Sequence, residues 1–76
     1  MEQLNLNALA DFHLVALHGS FGRASRAAHR SKATLSRRIA DLEESIGARL
    51  IERNAKGLEL TQAGRLLLDR TEGPLS

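Results

Sequence analysis

The stretch SKATLSRRIADLEESIG, residues 31–47, carries the clearest structural signal in the chain. Its apolar residues occupy the i, i+4, i+7 and i+11 positions of one helical face. They are Leu35, Ile39, Leu42 and Ile46. Ser31 stands where a helix N-cap belongs, and Gly47 stands where a left-handed C-cap residue belongs. The stretch therefore predicts a capped helix that turns one face towards a core.

A first amphipathic helix is predicted upstream, between residues 4 and 17. Its main apolar stripe recurs at helical spacing, with the polar Asn7 and Asp11 between the apolar positions. The stripe consists of Leu9, Phe12, Val15 and Ala16. Leu14 and Leu17 lie off this stripe, which indicates either a broad core face or a second contact surface.

A second, short helix connects the first to the third. Gly19 ends the first helix, and Ser20 is the predicted N-cap of the second. Phe21, Ala24 and Ala28 share one face of this helix, and its small residues permit close approach by a neighbour. Three residues then separate the second helix from the third, which is the spacing of a helix-turn-helix unit.

The charges of the third helix run against its dipole. Cations fill its first half and acids its second half: Lys32, Arg37 and Arg38, then Asp41, Glu43 and Glu44. A helix dipole favours the opposite order, so a partner outside the helix must favour the cations. A DNA major groove would do so, because its phosphates and base edges would face the first half of the helix. Glu43 and Glu44 would then point away from the duplex and resist reversed docking.

Basic residues are concentrated in one part of the chain. Six of them and no acid lie between residues 23 and 38, although the formal net charge is only +2. They are Arg23, Arg26, Arg30, Lys32, Arg37 and Arg38. A local basic field of this kind attracts phosphate. A solvated helical face is the alternative interpretation of such a run.

Beyond the third helix the apolar pattern changes period. Two short apolar segments, residues 50–51 and 58–60, flank the turn-forming segment 54–57. This arrangement predicts a two-stranded hairpin, with Arg53 and Lys56 near its tip. A hairpin in this position beside a helix-turn-helix is a wing.

A last helix follows the hairpin. Thr61 is its predicted N-cap, and Gly73 with Pro74 ends it because proline disfavours a helical preceding residue. Its consecutive leucines exceed what so small a core needs: Leu66, Leu67 and Leu68. They indicate core packing, a dimer seam or both.

The composition excludes several functional classes. Seventy-six residues suffice for one small domain and not for two. The chain has no cysteine, and no apolar run approaches the roughly 20 residues that span a bilayer, so we expect a cytoplasmic protein without membrane contact. No catalytic residue set or glycine-rich phosphate loop is evident, so an enzyme is not expected. His13 and His18 share no helical face, so neither a metal nor a cofactor is expected.

Three segments together resemble the N-terminal DNA-binding domain of the LysR-type transcriptional regulators. They are GSFGRAS (19–25), TLSRRIADLEESIGARLIER (34–53) and LTQAGRLLL (60–68), in order and with their spacings preserved. The match runs from about Leu9 to Leu68. The resemblance implies a mainly α winged helix-turn-helix fold with a three-helix core, a small two-stranded β wing and a C-terminal linker helix.

The resemblance also implies a function. Regulators of this family bind double-stranded DNA as homodimers, joined through the linker helix, and read two half-sites of a partly palindromic operator. In this chain the predicted dimerisation residues are Leu66, Leu67 and Leu68.

Carried over residue by residue, the resemblance implies a set of DNA contacts. The base-facing positions of the third helix fall on Lys32, Ala33, Thr34, Ser36 and Arg37. The wing position that reaches the minor groove falls on Arg53, with Lys56 nearby, and Ser20 falls where the backbone meets phosphate. Arg23 and Arg38, from the basic run, complete the predicted DNA-binding set.

The chain departs from the family pattern at several positions. Lys32 and Ala33 stand where the family usually has Gln and then Pro or a small residue. Gln can make a bidentate contact to adenine, whereas Lys prefers guanine or phosphate, so base preference should differ there. Arg30 stands where an apolar residue usually packs the turn, Ala28 where Leu is common, and Ile51 where Phe is common. These three departures thin an already small core.

We assign residues 1–60 to the winged helix-turn-helix domain and residues 61–76 to the start of a linker (dimerisation) helix. We expect this helix to stop near Glu72 and therefore to be truncated. Family members sense a small-molecule effector through a large C-terminal domain, which we expect to be absent from this chain. The interpretation favoured is an excised fragment rather than a naturally minimal form.

A protein partner and a single-stranded nucleic acid are the two alternatives to double-stranded DNA. A protein–protein module would use the surfaces of Leu14 with Leu17 and of residues 66–68, and its affinity would be insensitive to salt. Single-stranded DNA or RNA is disfavoured, because two Phe and no Tyr or Trp are available for stacking on bases.

Overall fold

The computed structural model describes residues 6–55 and 57–72. In chain order its elements are α1 (Leu6–His18), α2 (Phe21–Ala28), α3 (Lys32–Ile46), β1 (Ile51–Asn54), β2 (Gly57–Leu60) and α4 (Gln62–Glu72). The first three helices pack against one another, and the two strands pair antiparallel with Ile51 opposite Leu60. The predicted fold class, a mainly α winged helix-turn-helix, is confirmed.

Helix caps form where the sequence predicts them. Ser20, Ser31 and Thr61 each accept a hydrogen bond from the N–H three residues later, at 3.2, 3.1 and 3.0 Å respectively. These bonds satisfy donors that a helix N-terminus would otherwise leave unpaired. Gly47 closes α3 with a φ of +84°, in the left-handed region that favours glycine.

The helix-turn-helix unit has its predicted length. α2 ends at Ala28 and α3 begins at Lys32, so three residues form the turn. His29 has a left-handed backbone with a φ of 59°, a conformation that histidine adopts more readily than most side chains. The N–H of Arg30 donates to the Ser25 carbonyl oxygen at 3.0 Å. The turn therefore supplies a hydrogen-bond donor to a carbonyl group at the end of α2.

Two predicted boundaries lie outside the described residues: the start of the first helix near Leu4 and the stop at Gly73 and Pro74. Within the described part, α1 extends to His18. Gly19 follows with a φ of +68°, so the prediction that Gly19 ends this helix is confirmed.

The core lies between the three helices and the base of the hairpin. Its largest fully buried apolar side chains are Phe12, Leu35, Leu42, Leu50 and Val15. The predicted core residues Phe12, Leu35, Ile39 and Leu42 are therefore confirmed, whereas Leu9 and Ala16 of the predicted first-helix stripe are only half-buried.

Ile46 corrects the predicted apolar face of α3, because 38% of its surface is exposed. It lies in the last turn of the helix, beside Leu50, Ala63 and Leu66 rather than under α1. Helical spacing gives the direction of a face but not how far along the helix the core extends.

Asp11 is buried inside the helical core, with 1% of its surface exposed. The spacing of α1 marks Asp11 as a polar position, and nothing in that spacing predicts its burial. Two guanidinium groups compensate the buried charge, because Arg30 and Arg38 both reach its carboxylate. Arg30, which departs from the apolar residue usual in the family, therefore has a charged partner inside the fold.

Gly64 allows α4 to approach the base of the hairpin. A Cβ atom at this position would overlap the carbonyl oxygen of Leu50. At the same junction, the N–H of Thr61 donates to the Leu50 carbonyl oxygen at 3.0 Å, and the Thr61 hydroxyl donates to the Arg49 carbonyl oxygen. The segment LTQAG, residues 60–64, thus joins α4 to the wing.

Candidate nucleic-acid interface

An open groove runs between the start of α2, the first turns of α3 and the hairpin. Half of the predicted DNA-binding set lines this groove: Ser20, Lys32, Ala33, Ser36 and Arg53. The N-cap of α2 supplies Ser20, successive turns of α3 supply the next three residues, and β1 supplies Arg53. Residues that are distant in sequence therefore meet on one surface.

Arg53 crosses the groove from the hairpin to α3. Its Nη2 donates a hydrogen bond to Ser36 Oγ at 3.3 Å. Its guanidinium carbon lies 4.5 Å from the centroid of the Phe21 ring, within the range of cation–π attraction. Both partners are neutral, so Arg53 keeps its full positive charge at the surface while its side chain is positioned.

Phe21 has a place at this site that the sequence did not predict. Its spacing with Ala24 and Ala28 predicts one face of a short helix, and the ring does pack partly against the core. The same ring also lies beneath the guanidinium of Arg53. These two residues come from different elements, so no local pattern reveals their contact.

The start of α3 combines exposed and capping side chains. Lys32, Ala33 and Arg37 are exposed on the helix. Thr34 is half-buried, and its hydroxyl oxygen accepts a hydrogen bond from Ser31 Oγ at 2.9 Å. Thr34 therefore fixes the first turn of the helix, and its contact with a base stays a prediction.

Three further members of the predicted DNA-binding set do not line the groove. Arg23 is exposed on α2. Arg38 is half-buried, and its Nη1 lies 3.3 Å from the Oδ2 of Asp11. Arg37 is exposed on α3 outside the groove lining. Lys56 falls outside the described residues. Their roles as DNA contacts stay predictions.

Asp11, Arg30 and Arg38 form an ion cluster between α1, the helix-turn-helix turn and α3, called the Asp11 cluster below. Arg30 Nε lies 3.3 Å from both carboxylate oxygens. The side chains of Arg30 and Arg38 are 34% and 33% exposed, whereas that of Asp11 is 1% exposed. Desolvation offsets much of the attraction between buried charges. The clearer consequence of the cluster is that it holds α1, the turn and α3 together.

Glu43 binds the base of the hairpin. Its Oε2 accepts hydrogen bonds from the N–H groups of Leu50 at 2.8 Å and Ile51 at 3.2 Å. Arg49 Nε lies 3.9 Å from the same oxygen. The sequence predicted only that Glu43 repels phosphate, which stays a prediction. Its structural role could not be read from the helix alone, because both amides belong to the next element.

The leucines of α4 lie in two environments. Leu66 is 53% exposed, whereas Leu67 and Leu68 are partly buried and pack against the core. Their joint role as a dimer seam stays a prediction. α4 is also tied to α1, because a hydrogen bond of 2.7 Å joins His13 Nε2 and Thr71 Oγ1, and the Thr71 hydroxyl donates to the Leu67 carbonyl oxygen.

The histidines of α1 are separate from one another in their contacts. His13 bonds to Thr71, and His18 lies in the last turn of the helix. Across residues 6–55 and 57–72, no group of three or more His, Asp or Glu side chains is arranged to hold a metal ion. None of the helices in the part that the structure describes is long and apolar enough to cross a membrane.

Comparison with known proteins gives a consistent result. Residues 6–65 match the model of the family described as "Bacterial regulatory helix-turn-helix protein, lysR family". The HTH-type transcriptional regulator TfdT of Cupriavidus pinatubonensis is 46% identical over 66 residues, which are 87% of this chain and 29% of that protein. The dual regulator OxyR of Escherichia coli is 39% identical over 67 residues, 88% of this chain and 22% of that protein. The chain thus spans less than a third of the length of either relative.

Solved structures agree in fold. Vibrio fischeri DarR in complex with DNA superposes with a TM-score of 0.87 at 31% identity, over 93% of this chain and 24% of that one. The BenM_DBD complex with catB site 1 DNA gives a TM-score of 0.85 at 29% identity, over 90% of this chain and 76% of that one. Both of these similar structures contain DNA.

Proposed function

This chain belongs to the lysR family of bacterial regulatory helix-turn-helix proteins, and we propose that it reads double-stranded DNA with α3 in the major groove and the wing at the minor groove. One observation carries the proposal: Arg53 of the wing and the first turns of α3 line a single groove. An α-helix matches the width of the major groove, and a cation beside it favours the neighbouring phosphates or a narrow minor groove.

The exposed start of α3 supports the proposed base contacts. Lys32 and Arg37 carry charge and hydrogen-bond donors, and neither side chain has a described ion pair. Ala33 between them is small, so the helix backbone can lie close to base edges. Lys32 favours guanine or phosphate as a partner, whereas the bidentate fork of Arg37 matches the O6 and N7 of guanine.

A dimer on a partly palindromic operator is the second element of the proposal. Leu66 on α4 and Leu17 on α1 are 53% and 76% exposed, so apolar surface is available outside the core. Two domains joined there would read half-sites separated by one or more helical turns of DNA, with about 34–36 Å for each turn. The division at residue 61, an effector bound through a C-terminal domain and a cytoplasmic location stay predictions.

Selection of random duplexes by the chain, followed by titration in several salt concentrations, tests the proposal. We expect an enriched inverted repeat that is bound about 10³-fold or more tightly than a scrambled duplex. Binding without sequence preference and with a steep salt dependence would mean that the chain is attracted to phosphates and does not read bases. No binding to either duplex would contradict the proposal and favour a protein–protein module.

The substitution Arg37→Ala tests the proposed position of α3 in the DNA major groove. It should weaken binding to the selected duplex by about 1–3 kcal/mol and relax the choice of base at one position in each half-site. Arg65→Ala, on the exposed surface of α4, removes the same charge outside the proposed interface and serves as the control. If both variants lose the same affinity and keep the same base preference, Arg37 does not read a base.

A further inference from the structure

The Asp11 cluster holds more positive charge than its carboxylate requires. One guanidinium would neutralise Asp11, yet Arg30 and Arg38 both lie 3.3 Å from its Oδ2. The formal charge of the three groups is therefore +1. Two cations on one carboxylate repel each other, so an additional anion beside them would stabilise the arrangement.

Both arginines retain hydrogen-bond donors outside these contacts. Arg30 contacts the carboxylate through Nε, and Arg38 contacts it through Nη1. A guanidinium carries five N–H donors, so the terminal nitrogens of Arg30 and the Nη2 of Arg38 are not used by the described contacts. About a third of each side chain is exposed, so solvent reaches these groups.

The position of the cluster on α3 indicates which anion could reach it. Successive helical residues are rotated by about 100°, so Arg38 lies about 160° around the axis from Ser36. Ser36 contacts the wing through Arg53, which makes its side the wing flank of α3. Arg38 contacts α1 through Asp11, which makes its side the α1 flank.

A helix in the major groove has a phosphate backbone on each side, because the groove is about as wide as the helix. The wing flank presents the positive charge of Arg53. The α1 flank presents the surplus positive charge of the Asp11 cluster. The two flanks thus offer one net positive charge each to the two backbones.

We propose that the Asp11 cluster is a binding site for a DNA backbone phosphate, in which Arg30 and Arg38 contact the phosphate and Asp11 is a positioning residue. The site rests on the proposed function, since it requires α3 to lie in the major groove. The buried carboxylate already fixes the two guanidinium groups, so a phosphate that binds beside them costs less side-chain entropy than it would with unpaired arginines.

The test compares two variants of equal net charge on the duplex recovered by selection. Asp11→Leu with Arg30→Val and Arg38→Gln removes the whole cluster, so that no buried charge is left without a partner. Arg26→Gln removes one exposed cation of α2 that neither lines the groove nor joins the cluster. Each variant lowers the formal charge of the chain by one.

We expect the triple variant to bind at least about tenfold more weakly than Arg26→Gln at 0.15 M salt, as the loss of a charge-assisted hydrogen bond predicts. The slope of log affinity against log salt should become shallower by about 0.9 for each bound domain, because one phosphate contact is lost. Equal affinities and equal slopes for the two variants would overturn the phosphate site. Failure of the wild-type chain to bind any duplex would instead overturn the proposed function.

Asp11→Asn separates positioning from simple attraction. This substitution raises the net charge by one, so an unpositioned basic patch would bind DNA more tightly and with a steeper salt dependence. The positioning role predicts weaker binding, because the two guanidinium groups lose the carboxylate that orients them. Tighter binding would overturn the positioning role of Asp11. Circular dichroism and thermal unfolding of each variant, measured first, establish that the folded state is being compared.

Discussion

Each flank of α3 carries a carboxylate and arginine side chains, but the partners of these charged groups differ between the two flanks. On the α1 flank, the Asp11 carboxylate is bound by two cations, Arg30 and Arg38. On the wing flank, the Glu43 carboxylate is bound by two backbone N–H groups, while Arg53 contacts a hydroxyl and an aromatic ring. The α1 flank therefore joins its carboxylate to two guanidinium groups, whereas on the wing flank the short contacts of Glu43 and Arg53 are with neutral groups and Arg49 lies 3.9 Å from Glu43.

This difference shows that two acids beside the same helix can affect the positive charge of its two flanks unequally. Asp11 lowers the charge of its flank from +2 to +1 and fixes the two cations that remain. Glu43 faces the base of the hairpin, and Arg53 keeps its whole charge because neither Ser36 nor Phe21 is an anion. The charge offered at a surface thus depends on the partners of each ionised group and not on the count of acids and bases.

Removal of Asp11 alone should have the largest effect on stability. Asp11→Ala leaves Arg30 and Arg38 close together without a counterion and opens a small cavity, so we expect the free energy of unfolding to fall by about 3 kcal/mol. Urea denaturation at pH 7 measures the change. Asp41→Ala, which removes an exposed acid of α3, is the control and should change stability by less than about 0.5 kcal/mol. Equal losses would mean that the cluster does not stabilise the fold.

Removal of Glu43 should have a smaller effect, because its closest partners are backbone N–H groups and its one charged partner, Arg49, is exposed and 3.9 Å away. Glu43→Ala leaves the N–H groups of Leu50 and Ile51 without their acceptor in a buried part of the hairpin, which should cost about 2 kcal/mol. The neighbouring Glu44→Ala is the control, since Glu44 is exposed. Hydrogen exchange should also become faster at Leu50 and Ile51 in the first variant. Unchanged exchange there would contradict the role of Glu43 at the hairpin base.

Local patterns in the sequence predict most of the fold. Ser20 and Ser31 lie at helix starts, Gly19 and Gly47 lie at helix ends, and the hairpin forms around residues 54–57, because each signal depends on a few neighbouring residues. Five residues of the predicted DNA-binding set, among them Arg53, also line one groove. Their selection came from the resemblance to a family, since periodicity shows which residues share a helical face and not which face meets DNA.

The contacts that the sequence did not predict join distant elements. Asp11 reaches the turn and α3, Phe21 lies under a residue of β1, and Glu43 accepts hydrogen bonds from the hairpin. Each of these residues fits a simpler local interpretation, as a polar position, a helix face or an exposed acid. Ile46 shows the opposite case, because a regular apolar spacing continues past the end of the core. Only the packing of whole elements distinguishes these cases.

The smallest expected effect concerns the contact between Phe21 and Arg53. A double-mutant cycle with Phe21→Leu and Arg53→Met should give a coupling free energy of about 0.5–1 kcal/mol in urea denaturation, as expected for a partly exposed cation–π pair. Phe21→Leu keeps an apolar side chain, and Arg53→Met keeps the length of the side chain without its charge. A coupling indistinguishable from zero would mean that the ring does not position the guanidinium.

The same pair distinguishes positioning from charge on DNA. Phe21→Leu alters no charge, so the salt dependence of binding to the selected duplex should stay the same while the affinity falls. Arg53→Met removes a charge, so it should lower the affinity and also make the salt dependence shallower. A shallower salt dependence for Phe21→Leu would mean that Arg53 loses its proposed contact with DNA when the ring is lost. The wing flank would then depend on a neutral side chain for its charged contact, as the α1 flank depends on Asp11.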